Sequence, residues 1–463
     1  MDETIDLSPP IPPRTKPPPF FQKTDWQAFG LTALAIFIVY WFSLAPEIGL
    51  ADSGMYATGA FYPGPTTQPS HPIWTVFGWI FTQLLPFSNV AWRLGVASAF
   101  VGALTCGLIA LLVSRVGLVY LEGLSALPKL SLRDQSTLRI TFGIVAGFGF
   151  GFDVSLWLKV AVVDPWPFSV FLFTATLCLL TRWFFRPEQR FSLYLAAGTA
   201  AGAIVESEVP LAALLSLTIL LMLGHRPMAR DLMFAISLLT QALFAMKNYP
   251  MVASVPYGEE IFFITAILTA ITGIVLAVRT RKFLTEWKTL LICGAVFIIT
   301  LCSNLLLPVF SMTNPPMNSG YQRTIEGFFH PLSRGEYGSG TGDINFNCLG
   351  ILNESCMYLK LTAENWGVFY LLVAAIPLLV FWKLPAKLRW WIIGLFGSWL
   401  FTILIMLGAL PTRYYDDDYF SKSAPYFAIT HLPLALLSGL GLALITTCVA
   451  RYSVPKPKPL PTA

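Results

Sequence analysis

Twelve apolar runs, each long enough to cross or nearly cross a hydrocarbon layer of ~30 Å, dominate this chain of 463 residues. They fall at 29–44, 90–113, 138–152, 166–183, 193–205, 209–223, 232–246, 261–278, 290–309, 366–382, 390–410 and 424–449. In lipid every backbone polar group needs an internal partner, so runs of this kind are expected to be helices. With 55% hydrophobic and 12% charged residues, the chain is too apolar for a soluble globular protein. The expected fold class is an all-α polytopic bundle of about twelve transmembrane helices.

Loop charge orients the bundle. With the N-terminus inside, alternate loops carry 22 of the 30 Lys and Arg, in groups such as Arg182, Arg186 and Arg190 or Arg279, Arg281, Lys282 and Lys288. This bias predicts that both termini are cytoplasmic. The net charge of +5 is therefore read as topology, with no nucleic acid as a partner. Residues 73–85 are apolar but bracketed by Pro72 and Pro86. A crossing there would invert every later loop, so an interfacial helix is expected.

The chain divides into a disordered Pro-rich tail at 1–28 with no cleavable leader, a transmembrane domain at 29–449, and a basic Pro-rich tail at 450–463. Its external loops are expected at 45–89, 311–364 and 411–423. No internal repeat is visible, which counts against a transporter built from two related halves. Walker, dinucleotide and zinc motifs are absent, so ATP-driven and redox roles have no support. Of seven cysteines, five lie in apolar runs; Cys348 and Cys356 share a polar loop and are the one pair that could form a disulfide, provided that loop lies in an oxidising compartment, and the sequence leaves the bridge open.

The polar stretch from Ala51 to Trp74, between apolar segments, marks a site at the water interface. It holds Asp52-Ser53-Gly54, the turn Gln68-Pro69-Ser70-His71-Pro72, and then an apolar run ending at Leu84-Leu85-Pro86. A second stretch contains Pro315-Pro316, Asn318-Ser319-Gly320, Thr324, Glu326-Gly327-Phe328 and Arg334-Gly335-Glu336-Tyr337. A third, from Thr412 to Tyr426, sets Arg413 and Tyr414 before Asp416, Asp417 and Asp418. In order and spacing these stretches resemble a bacterial membrane family related to the vertebrate plexin-type protein O-mannosyltransferase, of the GT-C superfamily. The resemblance implies a polyprenyl-phosphate sugar donor, a hydroxyl acceptor such as a protein Ser or Thr, and the acid of the first external loop as catalytic base.

On that resemblance Asp52 is the expected base; as a residue by itself, Asp before Ser-Gly also suits a helix-end cap. Arg413, Arg334 and Arg323 are expected to hold the leaving phosphate, because guanidinium forks match its oxygens; pairing with Glu326, Glu336 or lipid headgroups is the alternative for the last two. His71, Asp164, Tyr337, Tyr414 and Asp416 are expected acceptor or sugar contacts. The carboxylates 416–418 offer hard oxygens to a divalent cation, against a solvated acidic loop edge as the plainer reading, and no metal ligand is assigned. Glu206 and Glu208, at a span end, either line a cavity or sit in water.

Met55 stands where the relatives carry Glu, and a His expected near Glu208 is missing. Two readings follow: an active membrane glycosyltransferase, with membrane lipids and a lipid-linked donor as partners, or a catalytically silent GT-C-like subunit in a larger membrane complex. The compartment expected is a bacterial inner membrane, or the endoplasmic reticulum in a eukaryote.

Overall fold

A computed structural model describes residues 19–49, 52–66, 70–124, 132–245, 258–282, 284–332, 348–409 and 417–453. Every one of the twelve apolar runs falls on a helix, and no strand occurs among the described residues. The first half comprises α1 (Lys23–Ser43), α2 (Ser53–Phe61), α3 (Pro72–Leu84), α4 (Val90–Gly123), α5 (Leu132–Gly151), α6 (Val154–Val160), α7 (Trp166–Phe185), α8 (Arg190–Glu206) and α9 (Leu211–Gly224). The second comprises α10 (Arg226–Ala245), α11 (Gly258–Thr280), α12 (Trp287–Leu301), α13 (Leu306–Met312), α14 (Ile325–Leu332), α15 (Cys348–Trp366), α16 (Val368–Leu379), α17 (Ala386–Ala409) and α18 (Asp417–Ser453). The protein is an integral membrane protein with a polytopic helical bundle.

Among the described residues seven helices are long and apolar enough to cross a bilayer, or nine if each of two bent pairs is one span. The expected twelve therefore include shorter pieces. α9 has 14 residues, and the run expected at 366–382 is broken at Gly367, whose φ of 93° a glycine accepts without strain. The bend there, between α15 and α16, is 111°; a second, of 71°, separates α5 from α6. α3, with 13 residues, is too short to span, as expected for 73–85.

The core is built around α4, whose buried stripe runs from Leu94 to Leu121 against α1, α5 and α7. Small residues let backbones approach: a Cβ on Gly143 would lie 2.6 Å from the Ala110 carbonyl, and one on Gly147 2.7 Å from that of Cys106. α1 starts at Lys23, inside the stretch read as tail, because Asp25 has partners there. Its carboxylate accepts from the Gln22 N–H at 2.8 Å, from Arg139 at 2.6 Å and from Ser114 at 2.6 Å. Phe20 is buried as well, stacked on Phe185 with Arg115 over its face.

Polar turns gather in two sets. Gln22, Arg139, Arg190, Arg230, Glu286 and Lys387 are joined across one set of helix ends, as in the Arg190–Glu286 pair at 3.0 Å and the Lys387 bond to the Phe185 carbonyl at 3.1 Å. Asp52, His71, Asp164, Glu206 and Gln322 are gathered at others.

A Cys348–Cys356 disulfide, left open by the sequence, is not compatible with the fold. Both residues lie on α15, eight positions apart, which at 1.5 Å per residue separates their Cα atoms by about 12 Å. A bridge needs less than about 7 Å, and Cys356 is free and exposed.

Candidate active site

Asp52 occupies the position before α2, and its backbone carbonyl accepts from the Tyr56 N–H at 3.0 Å. Its side chain, however, makes no capping bond and is exposed. The helix-cap reading thus fails to account for the carboxylate. α2 is fixed from beneath: Tyr56, Ala57 and Ala60 pack with Trp74, Leu94 and Phe168. At its start, the buried Ser53 hydroxyl donates to the Val163 carbonyl at 3.3 Å. The Asp52 turn is thereby seated on the 162–164 turn that follows α6.

In that turn Asp164 is buried, with one carboxylate oxygen accepting from the Trp166 N–H at 2.9 Å and the other 3.1 Å from the Lys159 ammonium. Its carbonyl accepts from the Ser98 hydroxyl at 3.0 Å. Burial raises the Asp164 carboxyl above its ordinary range; Lys159 and the Trp166 N–H oppose this, while the nearby charge of Asp52 adds a smaller upward push. Two acids and one ammonium therefore share this mouth, with Asp52 on the open side.

His71 precedes α3. Its Nδ1 lies 2.6 Å from the Glu206 carbonyl, which can only accept, so Nδ1 carries the proton and Nε2 keeps its lone pair in the neutral ring. Burial pushes the imidazole down to about 4, which keeps that ring neutral at ordinary pH. Tyr56 and Trp166 meet it edge-on, at 5.7 and 6.3 Å between ring centres. The latter contact ties His71 to the Asp164 turn.

Glu206 does not sit in water, one of the two readings open for it, and its carboxylate is taken up by a neighbouring helix end. Just beyond the apolar run of α8, it is buried and caps α3, accepting from the N–H groups of Ile73 at 2.8 Å and Trp74 at 3.2 Å. Burial raises its carboxyl to about 8 against those two donors.

The two family-like loops touch. The Ser319 N–H donates to the Pro65 carbonyl at 2.9 Å, and the Gln322 amide donates to the Ser70 hydroxyl at 3.1 Å. A Cβ on Gly64 would sit 2.7 Å from Pro315 Cγ and 2.8 Å from the Met317 carbonyl, so only glycine permits this approach. Arg323 is exposed on the outer side of the junction, donating to Asn314 at 2.6 Å with its guanidinium over Tyr321. Arg334, Tyr337, Arg413, Tyr414 and Asp416 lie outside the described residues. Among the described residues no three His, Cys, Asp or Glu side chains converge on a metal-sized point.

Sequence reasoning placed Asp52, His71 and Asp164 in polar turns but missed Lys159 as the counter-charge of Asp164. The available signal was a lone basic residue five positions before Asp164 in otherwise apolar sequence. It also missed Gln322, overshadowed by Arg323.

Residues 52–229 match the family described as "Protein O-mannosyl-transferase TMEM260 N-terminal domain". Over that segment, well under half of its length, the chain is similar to this N-terminal domain. The matched segment begins at Asp52 and contains His71, Lys159, Asp164 and Glu206. No curated protein matches the chain. Among solved structures, the crystal structure of ArnT from Cupriavidus metallidurans bound to undecaprenyl phosphate is similar with a TM-score of 0.28 and 13% identity, covering 93% of this chain and 79% of that chain.

Proposed function

We propose that the chain is a GT-C-type membrane glycosyltransferase that moves mannose from a polyprenyl-phosphate donor to a hydroxyl, that of a protein Ser or Thr, on the non-cytoplasmic face. The acceptor oxygen attacks the sugar C1 while Asp52 takes its proton; the bond from C1 to the phosphate oxygen breaks and polyprenyl phosphate leaves. The observation that supports this reading most directly is the state of Asp52: an exposed carboxylate with no capping duty, beside a buried Asp164 paired with the half-buried Lys159. Lys159 supplies positive charge near the acids, and Arg323, Arg334 and Arg413 are the groups to hold the phosphate.

An apolar groove of about 450 Å³ between α8, α9, α10 and α12, lined by residues such as Leu193, Ala200, Leu214 and Phe297, suits a polyprenyl chain. Met55, where the relatives carry Glu, favours the second reading, a silent subunit with the same scaffold. Reconstituted vesicles containing polyprenyl-phosphate mannose and a Ser/Thr-rich peptide decide between them. Labelled peptide that appears only with the protein supports the enzyme; a folded protein that yields none supports the subunit.

A further inference from the structure

The junction of the two loops contains a polar group that the fold leaves unfinished. Gln322 is 1% exposed, and its Nε2 is spent on Ser70, yet its Oε1 has no protein partner. Exchanging the two ends of the amide would leave the other end unpartnered in the same place. On the neighbouring turn, Trp74 is also 1% exposed, with an indole N–H that finds no protein acceptor. Shortly before Trp74 in sequence stand Ser70 and His71, the latter holding its Nε2 lone pair available because Nδ1 is committed to Glu206.

A buried carboxamide lacking one partner is costly, and an apolar side chain of the same shape would be tolerated at least as well. Nothing in the packing explains Gln322 over Leu. Its neighbours do not need the second end of the amide: the loop contact is already made by Ser319 with Pro65 and by Gly64 with Pro315. An orphaned acceptor on the side chain that bonds Ser70, the residue before a neutral imidazole, suits a ligand that brings its own hydroxyl donors.

We propose that the Ser70–His71–Gln322 junction is a hydroxyl-recognition subsite, in which a ligand hydroxyl donates to the Gln322 carboxamide oxygen and a second donates to His71 Nε2. The hydroxyls are those of the donor's hexosyl ring or of the acceptor alcohol. The assignment rests on the glycosyltransferase reading and names a residue that sets its substrate affinity.

The test uses the full-length protein in nanodiscs, with thermal unfolding followed in titrations of methyl α-mannoside and, separately, of a Ser/Thr-rich peptide. Wild type is expected to be stabilised by one of the two, mannoside identifying the hexosyl source and peptide the acceptor source. Gln322→Leu is expected to unfold at the same temperature as wild type or higher without ligand, and to need about tenfold more of that ligand for the same shift. Equal titration curves, no stabilisation of wild type by either ligand, or a lower unfolding temperature of unliganded Gln322→Leu would each overturn the subsite; the last would make Gln322 a packing latch. If Gln322→Leu does not fold, Gln322→Met carries the same titration. Failure of the parent reading looks different: a wild type that transfers nothing but shows Gln322-dependent stabilisation keeps the subsite and loses the transferase. Transfer with an unchanged KM in Gln322→Leu does the reverse.

Discussion

Two of the polar clusters in this apolar bundle are finished to different degrees. Around His431 the network is closed. Nδ1 lies 2.8 Å from Asp153, which also accepts from the Ser155 hydroxyl at 2.6 Å, and Nε2 lies 3.3 Å from the Thr362 hydroxyl. The ring stacks on Trp366, whose indole N–H donates to the Gly149 carbonyl at 2.9 Å. His431 and Asp153 are fully buried, and they tie the α5–α6 break and the α15–α16 break to α18. Around Asp52 the network is open, with an exposed carboxylate, a buried acid balanced by one ammonium, and the unmatched amide of Gln322. A closed polar network in a low-dielectric interior specifies shape, whereas an open one keeps capacity for a ligand. Stability and chemistry should therefore respond separately to changes in the two clusters.

The largest stability effect is expected at the closed cluster. His431→Ala leaves the Asp153 carboxylate buried without its partner and should lower the unfolding free energy by about 3–5 kcal/mol, read by thermal or denaturant unfolding in detergent. A variant with wild-type stability would show that the breaks hold themselves.

The next effect concerns pH, through two groups with opposite signs. Glu206 has its folded pKa raised from 4.5 to about 8, so the native state keeps a proton that the unfolded state gives up, and stability falls as pH rises through that window. His71 has its folded pKa lowered from 6.5 to about 4, so stability falls as pH drops through that window. The two slopes oppose each other between pH 4.5 and 6.5, and above 6.5 only Glu206 acts. Wild type should lose about 2 kcal/mol between pH 6.5 and 8 through this pair. In Glu206→Gln that alkaline loss should vanish, and a loss of about 3 kcal/mol should appear from pH 6.5 down to 4. Unfolding curves of the two proteins across pH check this; parallel profiles would contradict it.

Lys159→Met removes the cation from buried Asp164. A cost of about 1–3 kcal/mol is expected, with transfer reduced at least tenfold in the vesicle assay because the acid mouth loses its counter-charge. The smallest change in stability, about 1–2 kcal/mol, is expected for Gly64→Ala, whose methyl would press on Pro315 and Met317 and part the loops. It should cost more in transfer than in stability, and the reverse order would detach the loop contact from function.

What could be read from the sequence follows the same division. The helices were legible, because transfer into lipid is decided residue by residue. Asp52, His71 and Asp164 stood out for a related reason, being polar groups at the ends of apolar runs. The His431–Asp153 contact joins residues 278 positions apart, and Gln322 reaches Ser70 across 252. No local pattern announces such pairs, since His431 lies within an apolar run and Gln322 in a loop with a more conspicuous arginine. The question of a Cys348–Cys356 bridge is answered by the fold for a converse reason: one continuous helix holds apart two residues that are near in sequence.

The most direct test of the account is transfer by Asp52→Asn, compared with wild type in the same vesicles at matched, folded protein. The account predicts an unfolding temperature unchanged from wild type, since the side chain caps nothing, and a rate lower by about 10²–10⁴-fold. Wild-type turnover by Asp52→Asn would contradict it and remove Asp52 from the mechanism.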